Sequence, residues 1–176
     1  MAEPDRALFT DVEFIDKPDL RLMAELVEYW DRKRAGRIGP RRADIDPGEI
    51  VAHLPHIFMA DVIGGGADFR YRLIGTRIVE GLGRDNTGKR LSELYRNQPL
   101  VLAQLKAVFR MQVERKTPLF TRGRVFWLPE ARYRRFTGAS MPLSDDGATV
   151  NIILAELFVE HGGRLAGNGG GGTAED

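Results

Sequence analysis

The chain has 176 residues, the length of one domain with extensions, and its 43% hydrophobic and 29% charged residues are those of a protein that folds in water. With 26 Lys and Arg against 25 Asp and Glu, the formal net charge is +1, so attraction to nucleic acid or an anionic membrane would have to come from local clusters. The absence of cysteine removes disulfides, thiolate metal sites, iron–sulfur clusters, thiol nucleophiles and cysteinyl photoadducts.

The first residues carry Glu3, Asp5 and Asp11 rather than a basic and then apolar leader. The longest stretch free of Lys, Arg, Asp and Glu, Ile50 to Ala60, is far short of the ~20 apolar residues of a spanning helix. A cytoplasmic protein without a membrane segment is expected. Residues 1–17 show no sustained period and read as a lead-in. From Pro18 to Gly36 a helix is expected, with Leu20, Met23, Val27 and Trp30 on one stripe and Leu22, Leu26 and Tyr29 on a second, together about half the circumference. Asp46-Pro47-Gly48-Glu49 is a helix start signal, with Asp46 as the cap. Ile57 to Ile63 and the alternating Phe69, Tyr71 and Leu73 read as two strands joined by Gly64-Gly65-Gly66.

Short helical pieces punctuated by Gly81, Gly83 and Gly88 follow, and then a longer helix opened by Pro99, with Leu102, Leu105, Phe109 and Val113 on one face. Three further strands are expected at Leu119 to Leu128, Tyr133 to Pro142 and Val150 to Val159. In the last, Ile153, Ala155, Leu157 and Val159 point one way and Ile152, Leu154 and Phe158 the other. Such a strand belongs in the middle of a sheet covered on both faces. The Pro99 helix is one cover, and the Pro18 to Ala35 helix the other. Residues 162–176 hold seven glycines and read as a flexible tail.

The element order and four strings resemble the PAS domain: Ala43-Asp44-Ile45-Asp46-Pro47, Leu54-Pro55-His56-Ile57-Phe58, Phe69 to Thr76, and Gly83-Arg84-Asp85-Asn86-Thr87-Gly88. The likeness is to stand-alone bacterial PAS proteins with an N-terminal helix, and it runs from about Leu20 to Val159. It implies an α+β fold over residues 18–161, with a five-stranded antiparallel sheet, helices and a small pocket on one face, and the N-terminal helix on the other. It also implies a sensory or regulatory module, without catalysis, that binds a small ligand, a signalling protein or both. The ligand or cofactor stays unknown. Haem-binding members carry a histidine on the helix before the last three strands, and Leu100 to Arg115 has none; no element demands a flavin.

Side-chain phase points to a pocket between the long helix and the sheet, lined by residues from among Tyr71, Phe109, Trp127 and Tyr133. The broad arc of the first helix points to a homodimer through Leu22, Leu26, Tyr29 and Trp30, with the two aromatics as anchors. His53 and His56 have metal-like spacing but no evident third ligand, and pack or cap in the plainer reading. Two alternatives stand beside the sensory module. A small pocket enzyme of the hydratase or isomerase kind would need a buried base, for which His53 or Asp61 is available. A nucleic-acid binder would use Arg32, Lys33, Arg34, Arg37, Arg41 and Arg42, or Arg122, Arg124, Arg132, Arg134 and Arg135.

Overall fold

A computed structural model describes residues 9–161 and 164–165. Its elements are β1 (Val12–Ile15), α1 (Arg21–Arg34), β2 (Ile57–Ile63), β3 (Asp68–Ile74), α2 (Thr76–Leu82), α3 (Leu91–Leu94), α4 (Pro99–Arg115), β4 (Leu119–Arg124), β5 (Arg135–Leu143), β6 (Ile152–His161) and β7 (Arg164–Leu165). The strands form an antiparallel sheet in the order β1-β4-β5-β6-β2-β3, with the two-residue β7 folded back on the end of β6.

β6 pairs with β5 on one side and β2 on the other, as a strand that is apolar on both faces requires. On one face Phe69, Leu105, Phe109, Trp127, Phe136 and Ile153 form the core beneath α4. On the other, Leu26, Tyr29 and Trp30 of α1 pack on Ile57, Met59, Met141, Ile152 and Leu154, with Met23 against Ala139 and Phe158. Three positive-φ glycines, Gly64, Gly65 and Gly66, turn the chain between β2 and β3. Arg110 donates to the Gly66 carbonyl and Lys106 to that of Ala67, which ties α4 to this hairpin.

Three expectations need correction. The sheet has more than five strands, because Val12–Ile15, within the expected lead-in, adds an edge strand to β4. Four residues are too few to display a period in sequence. Their docking depends on Gly123, where a Cβ would run into the Asp11 carbonyl. β7 falls within the expected tail, and the rest of 162–176 lies outside the described residues.

The third correction concerns the dimer face of α1. Leu26, Tyr29 and Trp30 are all buried within one chain, and only Leu22 of the four expected interface residues is partly exposed. The sheet takes one stripe, and the segment around residues 45–50 takes the second: Ile45 and Ile50 join the same cluster. The Tyr29 hydroxyl accepts from the Asp46 N–H (2.9 Å) and donates to Glu49 (3.0 Å). The arc that seemed too wide for one neighbour has two neighbours in its own chain. Asp46 caps the following turn by accepting from the Gly48 N–H at 2.8 Å.

The basic cluster after α1 is largely spent on this packing. Lys33 pairs with Glu49, Arg34 with Asp31, and Arg37 with Asp44, while Arg37 also donates to the Lys33 and Arg34 carbonyls that end the helix. In the second cluster Arg122 pairs with Glu13 and Asp19, and Arg134 donates to the Gly81 carbonyl.

Two substitutions test this architecture. Trp30 Nε1 donates to the Pro142 carbonyl (2.8 Å) in the buried interface. Trp30→Phe strands that carbonyl and is expected to cost about 1–3 kcal/mol in urea unfolding. Gly123→Ala is expected to free the 12–15 amides to hydrogen exchange ahead of global unfolding while α1 and β6 stay protected. Unchanged protection of 12–15 would refute the dependence of β1 on Gly123.

Candidate functional site

A cavity of about 100 Å³ lies between α4 and the sheet. Phe109 of α4 is central to it, with its ring 5.9 Å from Phe58, 5.1 Å from Phe69 and 6.5 Å from Tyr71, mostly edge to face. Trp127 closes another wall, edge-on to Phe126 and Phe136. Ile153, Ala155 and Leu157 of β6 form part of the floor.

Tyr71, Phe109 and Trp127 thus line one cavity, whereas Tyr133 does not. Tyr133 is 76% exposed, next to Arg134, which lies over its ring. It sits ahead of β5, which begins at Arg135, so the strand alternation that gave it an inward face does not reach it.

The polar members of the wall came from outside the pattern. Asn86 belongs to the loop between α2 and α3, where Gly88 donates to the Tyr71 carbonyl and Tyr71 to that of Lys89, so this loop runs along the outer edge of β3. Asn86 is 5% exposed, and its Oδ1 has no hydrogen-bond partner among the described residues. Gln112 of α4 is buried; it donates to the Thr117 carbonyl and accepts from the Ser140 hydroxyl, both at 2.8 Å. Burial raises the pKa values of Tyr71 and Tyr95, which stay neutral hydroxyls, although the charge of Arg84 works in the opposite direction.

Directly behind the floor, on the α1 face of β6, Glu156 is fully buried, and its Oε1 is 2.9 Å from Nδ1 of buried His53. Among the described residues Glu156 Oε2 has no partner. Burial raises the Glu156 pKa, the hydrogen bond and charge of His53 lower it, and burial wins. This carboxylate interrupts a strand face that reads as apolar from Ile152, Leu154 and Phe158. An isolated acid among apolar neighbours is the signal that could have found it.

The other candidate chemistry is dispersed. His56 stacks on Phe158 with ring centroids 4.4 Å apart, and burial first, then Arg77 and His53, lower its pKa. Asp61 is gripped by Arg70 (2.8 Å) and Arg72 (2.6 Å); burial raises its pKa, but these bonds outweigh it and hold the carboxyl below its usual value. Among the described residues no three His, Cys, Asp or Glu side chains are grouped to hold a metal. No described helix is long and apolar enough to cross a membrane.

A raised folded-state pKa means that Glu156 adds stability below its ordinary value of 4.5 and loses it as pH rises through the folded value. Glu156→Gln keeps an acceptor for His53 and cannot ionise. It is expected to match the wild type near pH 4 and to exceed it by about 1 kcal/mol near pH 7 in denaturant unfolding. A wild type that gains on the variant as pH rises would reverse the assignment.

Comparison with known proteins gives one match: a family model for the PAS domain covers residues 20–124, more than half the chain. The match begins beside α1 and ends with β4, before β5 and β6 complete the same sheet. No curated protein and no solved structure matches the chain.

Proposed function

We propose that this chain, which belongs to the PAS domain family, is a cytoplasmic sensory module that admits a small ligand beneath α4 and reports its presence through β6 to α1. The family is one of sensory and regulatory modules, typically without catalysis, that commonly mediate protein interaction and dimerisation. The observation that carries the finer reading is the position of β6. Ala155 and Leu157 border the cavity, while Glu156 between them is bonded to His53 on the face packed by α1. A displacement of the floor therefore bears on the α1 interface within one residue of sequence.

The unit that would do this spans 18–161. A pocket enzyme is the weaker reading, since the Glu156 carboxylate engages His53 behind the floor and Asp61 is committed to two arginines. The size of the cavity also matters. An engineered apolar cavity of about 150 Å³ takes one benzene, so 100 Å³ holds neither a flavin nor a porphyrin unless α4 moves away.

Xenon, which enters dry apolar cavities, is a suitable probe. Under xenon pressure the wild type is expected to unfold at a higher temperature and to change amide exchange in α1 by about threefold. Ala155→Leu, which fills the floor, is expected to lose both responses. No thermal shift in the wild type would remove the cavity reading; a thermal shift without any change in α1 would remove the signalling route.

A further inference from the structure

The cavity has walls that are nearly all apolar, and its polar side chains are unequally occupied. Gln112 and Ser140 satisfy one another, and Gln112 also serves the Thr117 carbonyl. Asn86 differs from them: only 5% exposed, it lines the cavity, and its Oδ1 is buried with no hydrogen-bond partner among the described residues. A buried amide without partners is costly, and folded proteins rarely leave one so.

This amide is not loosely held. Asp85 accepts from the Thr87 N–H at 2.8 Å, the Asn86 carbonyl accepts from Lys89, and Gly88 donates to Tyr71. The backbone after Asn86 is fixed to β3 through Gly88 and Lys89, and the turn around Asn86 is closed by its own hydrogen bonds, so the side chain is held at the wall by its own loop. The Tyr71 hydroxyl, likewise without a hydrogen bond among the described residues, is a second polar group of the same cavity.

We propose that this cavity selects a compact, neutral ligand of at most about six non-hydrogen atoms, with an N–H and a carbonyl side by side as in a small lactam, and that Asn86 reads that edge. The inference rests on the ligand-binding reading above and names the ligand's chemistry. The upper limit on size follows from a volume about two-thirds of that which takes benzene, itself a ring of about six non-hydrogen atoms. Neutrality follows from the walls: among the described residues no Lys or Arg lines the cavity, the Glu156 carboxylate lies behind the floor against His53, and a bound ion would be buried without a partner. Arg84, whose charge favours the ionised form of Tyr95, is exposed and is not among the lining residues. The donor–acceptor edge follows from Asn86, because a primary amide offers one acceptor and one donor at fixed spacing, which a lactam edge matches with two hydrogen bonds.

Calorimetric titration of the full chain with 2-pyrrolidinone, cyclopentanone and pyrrolidinium tests this, with xenon uptake measured in parallel. Ring size is constant across the three, so only the polar edge and the charge change. The wild type is expected to bind 2-pyrrolidinone about tenfold more tightly than cyclopentanone and to ignore pyrrolidinium. Asn86→Leu is expected to erase that preference while xenon still enters; if this variant does not fold, Asn86→Ala gives the same readout. Equal affinity for the two neutral rings, or a preference that survives at Asn86→Leu or Asn86→Ala, overturns the lactam assignment. Xenon uptake then leaves the cavity reading standing, whereas failure of xenon and all three rings to bind the wild type overturns both.

Discussion

The two-sided burial of β6 is the constraint from which the rest of this protein follows. A strand with Ile153, Ala155 and Leu157 on one face and Ile152, Leu154 and Phe158 on the other cannot lie at an edge or face water. It needs a strand on each side and a layer on each face. β5 and β2 provide the first, α4 and α1 the second. Because the two layers are filled by different means, the faces differ in character: the α1 side is closed by Trp30, Tyr29 and Met23, and the α4 side keeps a cavity within its aromatic wall.

Glu156 makes this central strand polar at one point. A fully buried carboxylate with one oxygen unpartnered is expensive unless it is protonated or paired, and among the described residues His53 is its side-chain partner. The same pair holds the segment before β2 to the middle of the sheet, next to the residues that floor the cavity. A hydrophobic residue there would pack, but it would not tie the segment containing His53 to the strand in one orientation.

The chemistry of the basic residues is also decided by packing. Lys33, Arg34 and Arg37 look like a nucleic-acid patch when counted along the chain. In the fold they complement the end of α1 and neutralise Glu49, Asp31 and Asp44. Arg70 and Arg72 alternate on β3 and reach the same partner, Asp61, across the hairpin. Charges that would each be a weak exposed pair gain order from being anchored to elements already fixed by the core.

By itself the sequence determined the element order from α1 to β6, the central position of β6, the hairpin at Gly64 to Gly66, the Asp46 cap and the aromatic wall of Tyr71, Phe109 and Trp127. Each is a matter of local period, turn chemistry or capping, and each is carried by residues close together in the chain. The tertiary structure decided what depends on distant partners. β1 exists because Gly123 lets Asp11 approach; Tyr133 faces out because β5 starts two residues later; the second stripe of α1 is covered by residues 45–50 of the same chain. The pairing of His53 with Glu156 and the unpartnered Asn86 belong to the same class, since satisfaction of a buried polar group is set by what the fold brings within 3 Å of it, and no periodicity in the chain records that.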